Sequence, residues 1–480
     1  AKLSLWGGRI VPSLFYWADF WARRSPPVVR ENLLQWGAAF ILRVFKKFMV
    51  VEQILDLAKQ KGIEAEVYYR SSRDTPIDFE NNRLKSLETK ASQGVALRVV
   101  VDGKLGFASA TDLTRLEDVV DAAIATAEIG DPVDFEFAKD FQGVVPESDY
   151  VLPETAKLVK IGETLIEKVR AYNDEILVSA GFHIRSGQTK LATTGGVYGE
   201  RNSKVVSASL GGNLVQGEDF LNAYGYDVAK DGEPDYDKIL ATVIEKYTNA
   251  EKSAQISSGQ YPVLFTPRAA LSAIGGLFDT ILSGQVVVQK ASPLAGKIGE
   301  QLFGDRLTIY EDPTIGVSAC PFDDEGTPTQ KKTFIQNGIV QQFYWDRQWA
   351  ARGKAEAQGN GFRGGLSRPS PDMVNFCMGA GQTPLAELIK GMKEGVIVDQ
   401  VLGAGQSNQL AGEFSVNLDL GYKVENGEIV GRLKNTMVAG SIFEAFADLV
   451  DFSDTCEWVG GSAYLPAILF GKLGVASRAV

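Results

Sequence analysis

Three dipeptides constrain the architecture open to this chain. Asp102-Gly103, Asn337-Gly338 and Asn426-Gly427 each separate two β-rich runs, and both positions of such a pair tolerate the positive φ that a two-residue primed turn demands. Antiparallel hairpins are therefore expected in both halves. Apolar residues recur at helical spacing over 52–59, at Leu113, Leu116, Val120, Ala123, Ile124 and Ala127 behind a capping Asp112, at Leu158, Ile161, Leu165, Ile166 and Val169, and over 236–254. Strands read over 64–69, 94–110, 175–185, 188–194, 203–215, 261–265 and 307–310. Helices and strands mix without a regular βαβ rhythm or a solenoid repeat, so the expected class is α+β.

A chain of 480 residues exceeds what one core usually supports. Ser257-Ser258-Gly259 interrupts the pattern, which predicts an α+β domain over 49–250 and a β-rich domain over 251–480. An Asp/Pro/Gly-rich linker is expected over 130–152. Residues 1–48 differ from the rest: they hold Trp6, Trp17, Trp21 and Trp36 out of seven tryptophans, and eight basic residues against two acidic ones. Met49 follows, then an amphipathic helix, and a start codon called too early is the favoured account of the extension. It has no secretory-signal pattern and no apolar run of the ~20 residues needed to cross a bilayer. The whole chain carries −11, so the body after residue 48 is more acidic still. Such a body repels phosphate backbones, and direct nucleic-acid binding is not expected.

The single histidine, His183, excludes any two-histidine metal site or histidine pair built from this chain alone. Alternation places it with Arg185 on one strand face, as a structural or surface residue. Cys320, Cys377 and Cys456 form no CxxC pair and no disulfide framework, which suits a reducing compartment. Asp323-Asp324-Glu325-Gly326 could offer clustered oxygens to a hard cation, but it lacks the spaced order of a calcium loop and reads as a solvated turn. Gly195-Gly196, Gly211-Gly212 and Gly364-Gly365 read as turns or bulges, and Met373 and Met378 as core filler.

From Val51 onward the chain resembles the TldD/PmbA family, once called modulators of DNA gyrase and understood as subunits of a two-protein metallopeptidase. The resemblance rests on Phe79-Glu80, Leu84, Gly94 to Val99, Gly103, Gly106 and Ser109-Ala110-Thr111 in the first half. In the second half it rests on Asp323 to Thr329, Asn337-Gly338, Leu402-Gly403, Gly412 to Ser415 and Glu425 to Ile429. In this family the catalytic subunit carries a His-Glu-x-x-x-His helix soon after the strand matching Tyr261 to Phe265, and a later cysteine completes a zinc site. Read with a helical interval of four, the histidines share one face and the Glu activates the bound water. The matching stretch here, Arg268 to Asp279, holds neither histidine nor glutamate.

The resemblance therefore implies the PmbA/TldE branch: a cytoplasmic, non-catalytic subunit, inactive alone, with no cofactor of its own and zinc in a TldD-like partner. It would form a heterodimer, help to shape a channel for unfolded or short peptides, and touch neither nucleic acid nor, over 49–480, a membrane. Peptide or partner contact is expected at Asp324, Glu325 and Thr329 and on the loop bearing Gly403, Ser407 and Asn408. Alternatives are a self-associating peptide-binding scaffold, a regulator of DNA gyrase acting through protein contacts, and a hydrolase of unrelated chemistry.

Overall fold

A computed structural model describes residues 50–478 apart from Glu218; the tryptophan-rich extension lies outside them. The first sheet contains β1 (Glu64–Glu80), β2 (Arg83–Leu87), β3 (Lys90–Val101), β4 (Lys104–Ala110), β5 (Gln142–Val145), β6 (Leu177–Thr193), β7 (Tyr198–Gln216) and β8 (Asp219–Lys230). Its order is β4-β3-β1-β6-β7-β5, with β2 also on β1 and β8 on β7. Only the β5–β7 pair is parallel. Asp102 and Gly103, at φ 49° and 72°, close the β3–β4 hairpin as their chemistry requires.

The second sheet is assembled from β9 (Ser253–Ala254), β10 (Gly259–Phe265), β11 (Ile309–Glu311), β12 (Lys332–Gln336) and β13 (Ile339–Val340). A short ribbon, β14 (Gly361–Phe362) and β15 (Ser370–Pro371), stands apart from it. The sheet continues with β16 (Phe376–Met378), β17 (Glu394–Leu402), β18 (Glu413–Glu425), β19 (Glu428–Leu433), β20 (Thr436–Ser441), β21 (Leu449–Val459) and β22 (Ala463–Ser477). Most pairs are antiparallel, with parallel exceptions at β10–β17, β16–β22 and β9–β19. The chain is α+β, with the strand-rich part at its C-terminus.

Side-chain alternation explains how the layers stack. On β1, Val67 and Tyr69 pack against the helices over 50–60 and Leu116–Glu128, while Ile77 and Phe79, further along the strand, pack against the helices Thr155–Tyr172 and Tyr236–Ala250. The last two helices also bury Leu264, Ile397, Leu420, Tyr422 and Leu469 of the second sheet. They form a filling between two sheets. Across the second sheet, Val263, Phe265, Val396 and Val398 meet Ala270, Ile274, Phe278 and Phe446. Strands β10 and β17 are thus apolar on both faces, as a buried parallel pair should be.

Several local expectations change. The stretch over 130–152 is not a free linker, because Phe137 and Ala138 are buried and β5 joins the sheet. The strands expected over 175–185 and 188–194 are one strand, β6, and β8 had no counterpart in the sequence reading. Asp112 accepts from Thr114 N and Oγ1 at 2.9 and 2.6 Å, so it holds a turn of its own and the helix begins later, at Leu116. Gly211-Gly212 lies inside β7, where Tyr247 Oη donates to Gly212 O at 2.6 Å. Among the described residues, no helix is long and apolar enough to cross a membrane.

The glycine at 212 lets the helix Tyr236–Ala250 approach the sheet: a Cβ there would lie 2.6 Å from Ile176 Cγ2 and 3.1 Å from Tyr247 Oη. Gly212→Ala is expected to cost about 1–3 kcal/mol by overpacking, read from urea unfolding. Gly405→Ala, whose Cβ would meet nothing within 4 Å, should change stability by less than about 1 kcal/mol.

Candidate functional site at the joint between the sheets

The helix that follows β10 is built for a sharp start. Thr266 Oγ1 accepts from Ala269 N at 3.3 Å and Pro267 occupies the first turn. The helix runs Pro267–Ala270, widens through a π turn over Leu271–Gly275, and continues over Gly276–Leu282. Ala269, Ala270, Ala273, Ile274, Leu277 and Phe278 are buried in the core, whereas Arg268, Leu271, Ser272, Gly276 and Asp279 retain exposure.

The π turn corrects the spacing argument. In His-Glu-x-x-x-His the histidines are five apart, not four, and five residues of α-helix leave them about 140° from each other at 3.6 residues per turn. A π turn closes i to i+5 and brings such residues back onto one face. Between Arg268 and Asp279, the pair Leu271 and Gly276 is the one at that interval with both members accessible, and Ser272 follows the first. A Cβ on Gly276 would meet only Gln409 Nε2, at 3.7 Å. The backbone suits the motif, while the side chains are aliphatic, hydroxyl and hydrogen. Among the described residues, no group of three or more His, Cys, Asp or Glu side chains is placed to hold a metal ion.

A cleft of about 270 Å³ opens beside this helix, lined by Asn222 and Tyr224 of β8, Arg268 and Ser272, Gln400, Val401 and Leu402 of β17, and Asp419 of β18. Gln400 Nε2 donates to Asn222 O at 3.0 Å and to Asp419 Oδ2 at 3.1 Å, bridging the two sheets. Lys246 Nζ lies 3.1 Å from Asp399 Oδ2, and burial depresses the lysine pKa in spite of that partner. Leu402 leads into the loop over 403–412. There Gly403 has φ 80°, Ser407 Oγ accepts from Ser415 N at 3.3 Å, Asn408 Oδ1 accepts from Ala411 N at 3.4 Å, and Gln409 Oε1 accepts from Thr280 Oγ1 at 3.1 Å. Gly403 and Asn408 are exposed and Ser407 is half-buried.

The acidic run is elsewhere, and it is not a solvated turn. Asp323, Asp324 and Glu325 are buried, because arginines and backbone N–H groups await each carboxylate. Arg98 Nη2 donates to Glu325 Oε1 at 2.8 Å, and Arg347 N donates to Glu325 Oε2 at 2.8 Å. Asp324 pairs with Arg201 and accepts from Arg363 N at 3.0 Å. Asp323 accepts from Glu325 N, Thr327 N and Gly361 N at 2.8 to 2.9 Å. Glu66 stands opposite Arg98 in the β1–β3 register and takes two hydrogen bonds from it, at 2.8 and 2.6 Å, with Arg363 as a further partner. Thr329 is half-buried, its Oγ1 donating to Cys320 O at 2.5 Å. No hydrogen bond or ion pair links this group to Gly403, Ser407 or Asn408 among the described residues. Asp324 and Glu325 are committed to arginines of the same chain.

Comparisons with known proteins match both halves of the chain. The model of the PmbA/TldA metallopeptidase C-terminal domain matches residues 258–477, and that of PmbA/TldA metallopeptidase domain 1 matches residues 65–127. The chain belongs to the PmbA/TldD family. An uncharacterised protein of Methanocaldococcus jannaschii is 26% identical, covering 88% of this chain and 99% of its own. TldE of Thermococcus kodakarensis aligns with TM-score 0.81 at 23% identity, over 89% of this chain and 100% of its own. Identity alone does not choose a branch: in Haemophilus influenzae the metalloprotease TldD homolog is 25% identical and the metalloprotease PmbA homolog 24%, each covering 84% of this chain, and 88% and 90% of their own lengths.

Within this PmbA/TldD chain the remaining candidates have local roles. His183 Nδ1 lies 3.1 Å from Asp74 Oδ1, and Arg185 Nε lies 3.4 Å from the same oxygen, on a partly exposed strand face. Burial raises the thiol pKa of Cys320 and Cys456 to about 11 and of Cys377 to about 12, so none is poised as a thiolate. The sequence reading missed Glu66, Arg98, Arg201 and Arg363. One signal was available: Arg98 stands alone in the apolar run Val95 to Val101.

Two measurements bear on this site. Asp346, 2% exposed, caps a helix by accepting from Trp349 N at 2.7 Å, and burial followed by the Glu325 charge pushes its pKa up to about 7. A carboxyl raised on folding stabilises fully below its unfolded pKa of about 3.9, and that contribution fades as pH rises to the folded value. Asp346→Asn keeps the cap, so the unfolding free energy of wild type minus variant should fall by about 2–4 kcal/mol between pH 4 and pH 7. For the π turn, the double variant Leu271→His, Gly276→His should bind one equivalent of Cu²⁺ in calorimetric titration beyond the wild type. Equal binding by the two proteins would mean that the positions do not share a face.

Proposed function

We propose that this chain is a PmbA/TldE-like, non-catalytic subunit of a cytoplasmic zinc metallopeptidase that pairs with a TldD-like, zinc-bearing partner and helps to enclose unfolded or short peptides. The observation that carries this reading is the π turn with Leu271, Ser272 and Gly276 at the metal-motif interval. A histidine-free turn offers no donors for zinc and no carboxylate to activate its water, so hydrolysis would belong to the partner.

The peptide role draws support from β8. This strand is bonded to β7 along one side only, and among the described residues no strand pairs with its other side. Asn222 and Tyr224 of this strand line the cleft, and an extended chain can add to a strand edge through main-chain hydrogen bonds with little sequence preference. Gly403, Ser407 and Asn408, with the exposed Leu402 and Leu410 on either side, are the proposed peptide or partner contacts. Asp324, Glu325 and Thr329 would act at one remove, by fixing the sheets that frame the cleft.

The direct test is reconstitution. The purified chain is expected to show no chelator-sensitive cleavage of an unfolded protein such as casein, and to co-purify with a zinc-bearing homologue as a complex that does cleave it. Robust chelator-sensitive cleavage by the lone chain would overturn the reading. Peptide binding without any such complex would favour the self-associating scaffold instead.

A further inference from the structure

The cleft beside β8 contains a cation without a polar partner. Among the described residues the Arg268 side chain makes no hydrogen bond or ion pair; its guanidinium lies over the ring of Tyr224, 4.2 Å from the centroid. The acidic groups nearest in influence, Asp399 and Asp419, are otherwise engaged, the first by Lys246 at 3.1 Å and the second by Gln400 at 3.1 Å. Burial presses the arginine pKa down, and the attraction of Tyr224, Asp399 and Asp419 offsets it only in part. Five N–H donors in a rigid fork are left open, and stacking on Tyr224 fixes the plane of that fork.

The surrounding groups indicate what would complete it. A planar fork of this kind matches a carboxylate in bidentate fashion. Ser272, one turn along the exposed helix face, adds a hydroxyl, and Asp419 on strand β18 is an acceptor for an amide N–H. Val401 and Leu402 supply apolar surface. At about 270 Å³ the space is slightly below the ~300 Å³ at which small-molecule sites begin, enough for the end of a peptide and not for a folded surface. We infer that the cleft binds a peptide carboxylate through the Arg268 fork, with Ser272 donating a further hydrogen bond and Asp419 accepting from the peptide backbone. This deepens the peptide-handling role proposed above and rests on it.

The shared chemistry is a carboxylate, whether at a C-terminus or on an acidic side chain. The test uses fluorescein-labelled pentapeptides of alanine, leucine and glycine, as the free acid, as the C-terminal amide, and as an amide with one internal glutamate, titrated by anisotropy against the full chain. The free acid is expected to bind at least tenfold more tightly than the plain amide, and Arg268→Gln should bring the two within twofold. The glutamate-bearing amide equalling the free acid would place side-chain carboxylates in the same fork. Arg268→Lys, which keeps the charge without the fork, should retain only part of the discrimination while melting like the wild type. Equal binding of acid and plain amide, or discrimination that survives Arg268→Gln, would overturn the carboxylate inference and leave the peptide reading standing. Binding of no peptide at all would overturn both.

Discussion

The Arg98 guanidinium holds two carboxylates that belong to different halves of the chain. Glu66 is its cross-strand neighbour in the first sheet, and Glu325 arrives from the second half, 227 residues away in sequence. Arg98 and Glu66 are 2% and 0% exposed, so neither charge is answered by water. A buried ion pair repays its desolvation only with full hydrogen bonding, and stripping one partner typically costs about 3–5 kcal/mol because a bare charge remains. Here Glu66, Asp324 and Glu325 are balanced by Arg98, Arg201 and Arg363. Asp323 and Asp346 are surplus to that balance, and they are the groups whose pKa values are pushed up, to about 8 and about 7. The cluster is specified by geometry more than it is a source of net stability.

This clamp bears on the cleft because the two walls of the cleft come from the two sheets. Strand β8 belongs to the first sheet, whereas Arg268, Gln400 and Asp419 come with the second. The helices Thr155–Tyr172 and Tyr236–Ala250 set the separation through their shared apolar filling. Apolar contact has little directional preference, so two sheets packed on the same filling could rotate or slide relative to each other. The arginine and carboxylate contacts admit one registration. Gln400, bonded to both Asn222 and Asp419, repeats the same device at the cleft itself.

Legibility from sequence followed the range of the interaction concerned. The hairpins at Asp102-Gly103, Asn337-Gly338 and Asn426-Gly427 were readable because two adjacent residues determine them, and the observed positive φ values agree. The acidic run was misread because Asp and Glu are rarely buried unless paired, and its partners Arg98 and Arg201 are 227 and 123 residues distant. The β8 strand escaped because Tyr224-Gly225-Tyr226 breaks its apolar alternation. The π turn was out of reach for a different reason: helix propensity does not distinguish an i+4 ladder from an i+5 one. Arg268 was visible as a letter, but its lack of a hydrogen-bonded or ion-paired acid among the described residues is a property of the folded cleft.

The π turn keeps its shape without polar ligands. Such turns are rare insertions in α-helices, and one that persists is held by its surroundings. In this chain that support is apolar. Ala273, Ile274, Leu277 and Phe278 anchor the buried side, and on the open side Leu271 folds over Gly275, where a Cβ would lie 2.7 Å from Leu271 Cδ1. Replacing a polar constellation by packed apolar groups is often neutral or stabilising, so an aliphatic side chain can hold the turn without ligands. The widened backbone then keeps Ser272 and Gly276 turned outward, in line with Arg268 one turn earlier. Where the spacing would suit a cation, Ser272 and Gly276 carry no charge and the nearest one along the line is the positive Arg268, so the chemistry this stretch can attract is that of an anion.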